Sequence, residues 1–65
     1  MVFYSDLFIE GVFTRRFHYF GLAQEAIREC EDRDQAYVLV LFNEKGRTIN
    51  AITQSRYPRL QYNPR

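Results

Sequence analysis

The residue types that could carry chemistry are few in this chain. A nucleophile or general base needs an orienting partner at short range, and the candidates are one cysteine, Cys30, one histidine, His18, and scattered hydroxyls and carboxylates. Cys30 falls on the apolar stripe of a helical pattern, next to Glu29, Glu31 and Asp32, where negative charge raises the pKa of a thiol. We therefore interpret Cys30 as a buried structural thiol.

The same inventory offers little for metals or phosphates. His18 lies in a predicted strand, and we favour a partly exposed strand histidine over a catalytic one. One cysteine and one histidine cannot complete a metal site, and the acidic stretch 29–34 lacks the ligand count of a dedicated cation site. The stretch 43–47 lacks the strand-loop-helix context of a P-loop. We expect a protein that is not an enzyme, with no catalytic residue, metal or cofactor.

The composition is typical of one small globular domain. The chain has 65 residues, of which 46% are hydrophobic and 26% charged, and a second core would need roughly 50 more residues. Nine basic and eight acidic residues leave a net charge of +1, which predicts no strong nonspecific attraction to nucleic acid or membrane. We see no signal-peptide pattern and no membrane span, and a single cysteine favours a reducing compartment, so we expect a cytoplasmic protein.

The first twenty residues have the pattern of a β-hairpin. Strand-forming residues run from Val2 to Phe20, and Glu10-Gly11 is the turn dipeptide inside this stretch. A two-residue loop there predicts the pairs Ile9–Val12, Phe8–Phe13, Asp6–Arg15 and Tyr4–Phe17. The opposite charges of Asp6 and Arg15 support this register.

One helix and two more strands are predicted after the hairpin. Apolar residues recur at helical spacing from Leu22 to Arg33. The run Tyr37–Phe42 is apolar on both faces, as in a central strand, and residues 43–46 and 47–53 fit a type I turn and a returning strand. The order β-β-α-β-β predicts an α+β fold, a small two-layer domain over residues 1–53 in which one helix packs on one face of an antiparallel sheet.

One further expectation concerns packing inside that domain. Ala26, Ile27 and Cys30 share the apolar stripe of the helix. We expect them to pack against Val38 and Val40 of the central strand.

The aromatic residues are concentrated in the hairpin, where seven of the eleven fall within the first twenty positions. One short helix covers one face of a sheet but not two, so the surplus aromatic face predicts a surface for a partner. We assign to it Tyr4, Phe8, Phe13, Arg15, Phe17 and Tyr19. In the alternative, strong twist of the sheet covers this face, or the end of the chain folds back over it through Tyr57, Leu60 and Tyr62.

Residues 54–65 are predicted to form an extended basic tail. Pro58 and Pro64 argue against regular structure there. Residues 1–53 hold six basic and eight acidic groups, a net charge of −2, and the three arginines of the tail bring the total to +1. The side chains predicted to contact a partner are Arg56, Tyr57, Arg59 and Tyr62. An extended segment of this kind docks in a protein groove, binds single-stranded nucleic acid or remains a mobile terminus.

The first functional hypothesis is a small protein-binding module that docks on a larger intracellular protein and modulates or inhibits it. A chain of 65 residues also has the size of the small proteins by which phages and mobile elements act on host machinery. A homodimer through the aromatic hairpin face, as in a self-associating assembly subunit, is an alternative.

The other alternative is an RNA or single-stranded DNA binder. It would use arginines and tyrosines of the hairpin and the tail, namely Arg15, Arg16, Arg56, Arg59, Tyr19, Tyr57 and Tyr62. The stretch 15–20 resembles the stacking strand of an RNA-recognition motif, although it lacks that motif's glycines and the fold order differs. The near-neutral net charge makes nucleic acid the less favoured partner.

Overall fold

The structure, a computed structural model, describes residues 2–53 and has the predicted α+β arrangement. Four strands and one helix follow one another as β1 (Tyr4–Ile9), β2 (Val12–Phe17), α1 (Phe20–Asp32), β3 (Tyr37–Phe42) and β4 (Thr48–Thr53). The strands form one antiparallel sheet in the order β2-β1-β3-β4. The tail and its predicted contacts Arg56, Tyr57, Arg59 and Tyr62 lie outside the described residues.

The β1–β2 hairpin closes at Glu10 and Gly11. Both residues have positive φ, 53° and 82°, which is the signature of a type I′ turn and matches the right-handed twist of the strands. Glutamate is an unusual residue at such a φ. Two contacts with Ala36 hold it there: the Glu10 amide donates to the Ala36 carbonyl at 3.0 Å, and the Ala36 amide donates to Glu10 Oε2 at 3.3 Å.

The predicted hairpin register is correct next to the turn and wrong beyond it. Ile9 pairs with Val12 and Phe8 with Phe13, but a β-bulge then shifts the ladder by one residue at Thr14. Asp6 therefore lies opposite Arg16 instead of Arg15, and Phe17 lies opposite Ser5 instead of Tyr4. The extra residue in one strand turns every later side chain of β2 to the other face.

The helix begins two residues earlier than predicted, at Phe20, and its C-cap is Arg33. Within the helix, the side chains of Ala23 and Cys30 are buried, while those of Ala26 and Ile27 are partly buried and pack at the edge of the core. The chain leaves the helix through a bond from the Gln35 amide to the Cys30 carbonyl at 2.8 Å and through Asp34, whose φ is 60°. No helix within residues 2–53 is both long and apolar enough to cross a bilayer.

The core lies between α1 and the face of the sheet that carries Leu7, Leu39 and Leu41. Leu39 is fully buried. Val38 and Val40 alternate with these residues along β3 and so face away from the helix. The expectation that α1 packs on Val38 and Val40 is wrong, because the other set of β3 side chains faces the helix. The buried hydrophobic residues are Leu7, Phe17, Ala23, Cys30, Tyr37, Leu39 and Leu41.

The β3–β4 connection is the predicted four-residue turn from Asn43 to Gly46. The Gly46 amide donates to the Asn43 carbonyl at 3.0 Å, and Gly46 has a φ of 77°, a conformation that glycine adopts without strain. Asn43 Oδ1 accepts from the amides of Lys45 and Arg47 at 2.9 and 3.0 Å. The turn is thus stabilised by the asparagine side chain as well as by glycine.

Candidate functional site

The sheet has a second face, opposite α1, which we call the open face. Because successive strand residues point to opposite sides, the neighbours of the buried Ser5, Leu7, Leu39 and Leu41 lie on it. The pairing of the strands arranges them in three rows across the sheet. The first row is Phe13, Phe8, Val38 and Thr53; the second is Arg16, Asp6, Val40 and Ala51; the third is Tyr4, Phe42 and Thr48.

Aromatic rings form the first row of the open face. Phe8 of β1 and Phe13 of β2 meet edge to face, with ring centroids 5.8 Å apart and planes at 73°. Phe8 is half-buried and Phe13 is 52% exposed. An exposed phenylalanine beside a second ring offers a partner a large apolar contact at low entropic cost.

An ion pair occupies the middle row. Arg16 Nε donates to Asp6 Oδ1 at 2.7 Å and Arg16 Nη2 donates to Asp6 Oδ2 at 3.1 Å. Asp6 is buried, whereas about half of the Arg16 side chain, 49%, is exposed. The hydrogen bonds that Arg16 donates to Asp6 raise the pKa of Arg16 above its usual value. The carboxylate is therefore compensated, and the guanidinium is the more exposed member of the pair.

The third row joins two strands through aromatic stacking. Tyr4 and Phe42 stack with centroids 4.8 Å apart and planes at 20°, and the guanidinium carbon of Arg16 lies 4.3 Å from the centre of the Tyr4 ring. The ring of His18 approaches Tyr4 at 6.2 Å. These contacts connect the second row to the third, so the rings and the arginine form one continuous surface.

No element within residues 2–53 covers this surface. The helix packs on the other face, and the six large apolar residues of the open face are half-buried or exposed: Tyr4, Phe8, Phe13, Val38, Val40 and Phe42. A contiguous apolar patch of several such residues is uncommon on a monomeric protein and is typical of an interaction surface.

The structure brings together only some of the predicted surface residues. Tyr4, Phe8 and Phe13 share the open face. Phe17 is buried in the core at 6% exposure, because the bulge at Thr14 turns it toward α1. The same shift places Arg15 on the helix side, with its guanidinium carbon 5.2 Å from the centre of the Phe17 ring.

Tyr19 is also not on the open face. It precedes α1 as the N-cap residue and is 73% exposed there. Its carbonyl accepts the amides of Leu22 and Ala23 at 3.1 and 3.3 Å. Tyr19 is not part of β2, which ends at Phe17. The start of the helix, and not the pairing of the strands, therefore determines where its ring lies.

Sequence reasoning did not place β3 residues on the aromatic face, and it named Arg16 only as a contact of the nucleic-acid alternative. The run from Tyr37 to Phe42 is apolar on both faces, and this is the signal that a second apolar face exists. Arg16 was displaced from the predicted pair by one position. The composition of this run does not show which alternate set of its residues faces the helix and which set faces outward.

The residues with reactive side chains lie elsewhere. Cys30 is a free thiol, 3% exposed, and burial raises its pKa. Burial and a 2.7 Å hydrogen bond from its hydroxyl to Glu31 raise the pKa of Tyr37 to about 12. Within residues 2–53, no three or more His, Cys, Asp or Glu side chains are grouped to hold a metal ion. Cys30 lines a cavity of about 160 Å³ between the helix and the hairpin, and Glu29, Arg15 and Arg33 line it as well.

Comparison of the chain with protein-family models, with curated proteins and with solved structures found no match.

Proposed function

We propose that this chain is a non-enzymatic binding module that docks the open face of its sheet on a larger protein and thereby modulates or inhibits it. The observation that carries the proposal is the continuous row-by-row surface of Phe8, Phe13, Tyr4 and Phe42 around Arg16. A helix already covers the other face of the sheet, so the packing of α1 does not use this surface.

The surface indicates what kind of partner it fits. Apolar groups lie at both ends, and Arg16 lies between them with a half-exposed guanidinium. Two of its five N–H donors bond to Asp6, and the others can reach a carbonyl or carboxylate. A partner with apolar side chains flanking an acidic or carbonyl-rich centre is complementary to this pattern.

A reducing compartment is part of the proposal. Cys30 is buried against the core and has no second cysteine in the sequence with which to form an intramolecular disulfide. A free thiol of this kind is typical of cytoplasmic proteins. We therefore expect the partner to be intracellular, as for inhibitors or accessory factors of host machinery.

Binding of single-stranded nucleic acid is the second candidate. It is favoured by one feature, the position of Tyr4, Phe8 and Phe42 on the two central strands next to an arginine, since bases stack on such rings. Two features disfavour it: Tyr4 and Phe42 already stack on each other, and the net charge is +1. The protein partner remains the better fit to an apolar surface.

A pull-down from lysate of the native host, treated with nuclease, tests the proposal. The wild-type chain should retain a protein that Phe13→Ser loses, because the interface aromatic is removed while the fold is kept. Leu22→Ser is the matched control, since Leu22 is 48% exposed but lies on the helix. Retention of the same protein by all three baits would contradict the proposal.

A further inference from the structure

The cavity that Cys30 lines has an apolar floor. It measures about 160 Å³ and lies between α1 and the β1–β2 hairpin, on the side of the sheet opposite the open face. Leu7, Phe17 and Cys30 are its buried lining residues, and Ala26 beside them is partly buried. An apolar cavity of roughly 150 Å³ holds a molecule of the size of benzene. The floor therefore has room for a branched aliphatic side chain.

The rim of the cavity is charged and carries both signs. Arg15 of β2 and Arg33 at the end of α1 line it together with Glu29, and all three residues are exposed. Among residues 2–53 the recorded ion pair joins Arg16 to Asp6, so Glu29 is not bonded to Arg15 or Arg33. Two guanidinium groups and one carboxylate thus line the mouth with no ion pair among them.

Two backbone irregularities place these charges at the cavity. The bulge at Thr14 turns Arg15 to the helix side of the sheet, where its guanidinium carbon lies 5.2 Å from the centre of the Phe17 ring. On the opposite side, Asp34 follows Arg33 with a φ of 60°, which is uncommon for a residue other than glycine. Bulges and strained residues are concentrated at binding and active sites. Their occurrence on both sides of one cavity therefore favours a ligand site.

The helix separates the acidic part of the rim from the basic part. Ala26, Glu29, Cys30 and Arg33 follow one another at i, i+3, i+4 and i+7 and so share one face of α1. One helical turn, about 5.4 Å, separates Glu29 from Arg33. A second cavity of about 160 Å³ continues the first toward the start of α1 and adds Glu25. Acidic groups therefore lie on one side of the mouth and Arg33 on the other.

We propose that this cavity binds a free apolar α-amino acid of the size of leucine. The aliphatic side chain occupies the floor, Arg15 and Arg33 bind the carboxylate, and Glu29 accepts hydrogen bonds from the ammonium group. Guanidinium and carboxylate groups form short, charge-assisted hydrogen bonds of this kind. A ligand without the ammonium group would bring a second negative charge to Glu29, and a ligand without the carboxylate would leave both arginines without an anion.

The site is separate from the surface of the proposed function. Partner docking uses the open face, whereas the amino acid binds on the helix side of the sheet, so either proposal can fail without the other. The ligand is small, and its charged groups stay near solvent at the mouth. We therefore expect weak binding, with a dissociation constant of about 10⁻⁴ to 10⁻³ M.

Titration of the isotope-labelled, full-length chain, followed by nuclear magnetic resonance, tests the proposal. L-Leucine should shift the amide signals of Arg15, Ala26 and Cys30 in a saturable way. Glycine lacks the aliphatic side chain, isocaproate lacks the ammonium group and isopentylamine lacks the carboxylate, so each should bind at least about fivefold more weakly. No saturable shift with L-leucine up to about 10⁻² M, or an equal affinity for any of the three analogues, would overturn the proposal.

Charge-removing variants locate the site on the helix. Arg33→Gln and Glu29→Gln should each weaken the binding of L-leucine at least about threefold, because each removes one charged contact with the ligand. Arg28→Gln is the matched control: it removes the same charge from the same helix, but Arg28 lines a different cavity together with Glu31. It should bind L-leucine as wild type does. Equal affinities for Arg33→Gln, Glu29→Gln and Arg28→Gln would contradict the proposed site.

Discussion

Arg16 holds the buried carboxylate of Asp6 through two hydrogen bonds while its guanidinium lies over the ring of Tyr4. Asp6 is 7% exposed, and a buried charge without a partner is strongly unfavourable. The pair thus makes it possible for a charged group to sit in the middle of an apolar surface. It also fixes Arg16 in the position from which it can contact a partner.

Loss of that compensation should be costly for folding. We predict that Arg16→Gln lowers the urea midpoint of unfolding, because it leaves Asp6 buried without its bidentate partner. Arg15→Gln is the matched control one residue away, where the side chain contacts Phe17 but no buried carboxylate. Equal midpoints for the two variants would show that the ion pair does not stabilise the fold.

The two faces of β3 should respond differently to truncation. Leu39 is 0% exposed, so Leu39→Ala should lower the free energy of unfolding by about 2 to 5 kcal/mol. Val40 lies next to it on the open face, and Val40→Ala should cost only about 1 kcal/mol. Denaturant titrations of both variants measure the difference. A larger loss for Val40→Ala would reverse the assignment of faces.

Alkaline unfolding should depend on Tyr37. Its pKa rises from 10.0 to about 12 on folding, so the folded state favours the protonated phenol. The resulting stability is present below pH 10 and is lost as the pH rises toward 12. Tyr37→Phe removes this contribution together with the hydrogen bond to Glu31.

Thermal melts at successive pH values check the role of the phenol. The stability of wild type should fall more steeply than that of Tyr37→Phe across the alkaline window. Parallel pH profiles for the two proteins would mean that Tyr37 does not titrate with unfolding.

Binding to single-stranded oligonucleotides should be weak. We predict no dissociation constant tighter than about 10⁻⁵ M near physiological salt. The eight acidic residues nearly balance the nine basic ones, so few counterions are released when the protein binds phosphates. Deletion of residues 56–65 should leave the circular dichroism of the domain unchanged, because β4 ends at Thr53. Fluorescence anisotropy at increasing salt measures both proteins. A submicromolar, salt-sensitive affinity for the oligonucleotide that disappears with the deletion would contradict this prediction and favour the hypothesis that the protein binds nucleic acid.

The order of the elements was predictable because each one has a local signal. Glycine follows the first strand at the type I′ turn, apolar residues recur at helical spacing in α1, and asparagine and glycine close the last turn. The α+β fold follows from that order. These signals depend on residues close in sequence, so no tertiary contact is needed to read them.

The assignment of side chains to faces was not predictable to the same degree. A bulge at Thr14 adds one residue to β2, and this moves Phe17 into the core and Arg16 onto the open face. Thr14 has no sequence feature that distinguishes it from a paired strand residue. Tyr37–Phe42 is apolar at every position, so its alternation carries no information about which set faces α1.

Site-specific photocrosslinking tests the central claim most directly. A benzophenone side chain replaces Phe13 on the open face in one protein and Leu22 on the helix in another, both at exposed positions. In nuclease-treated lysate of the native host, the probe at position 13 should capture a protein larger than this chain, and the probe at position 22 should not. Capture from position 22 alone, or from neither position, would contradict a binding function for the open face.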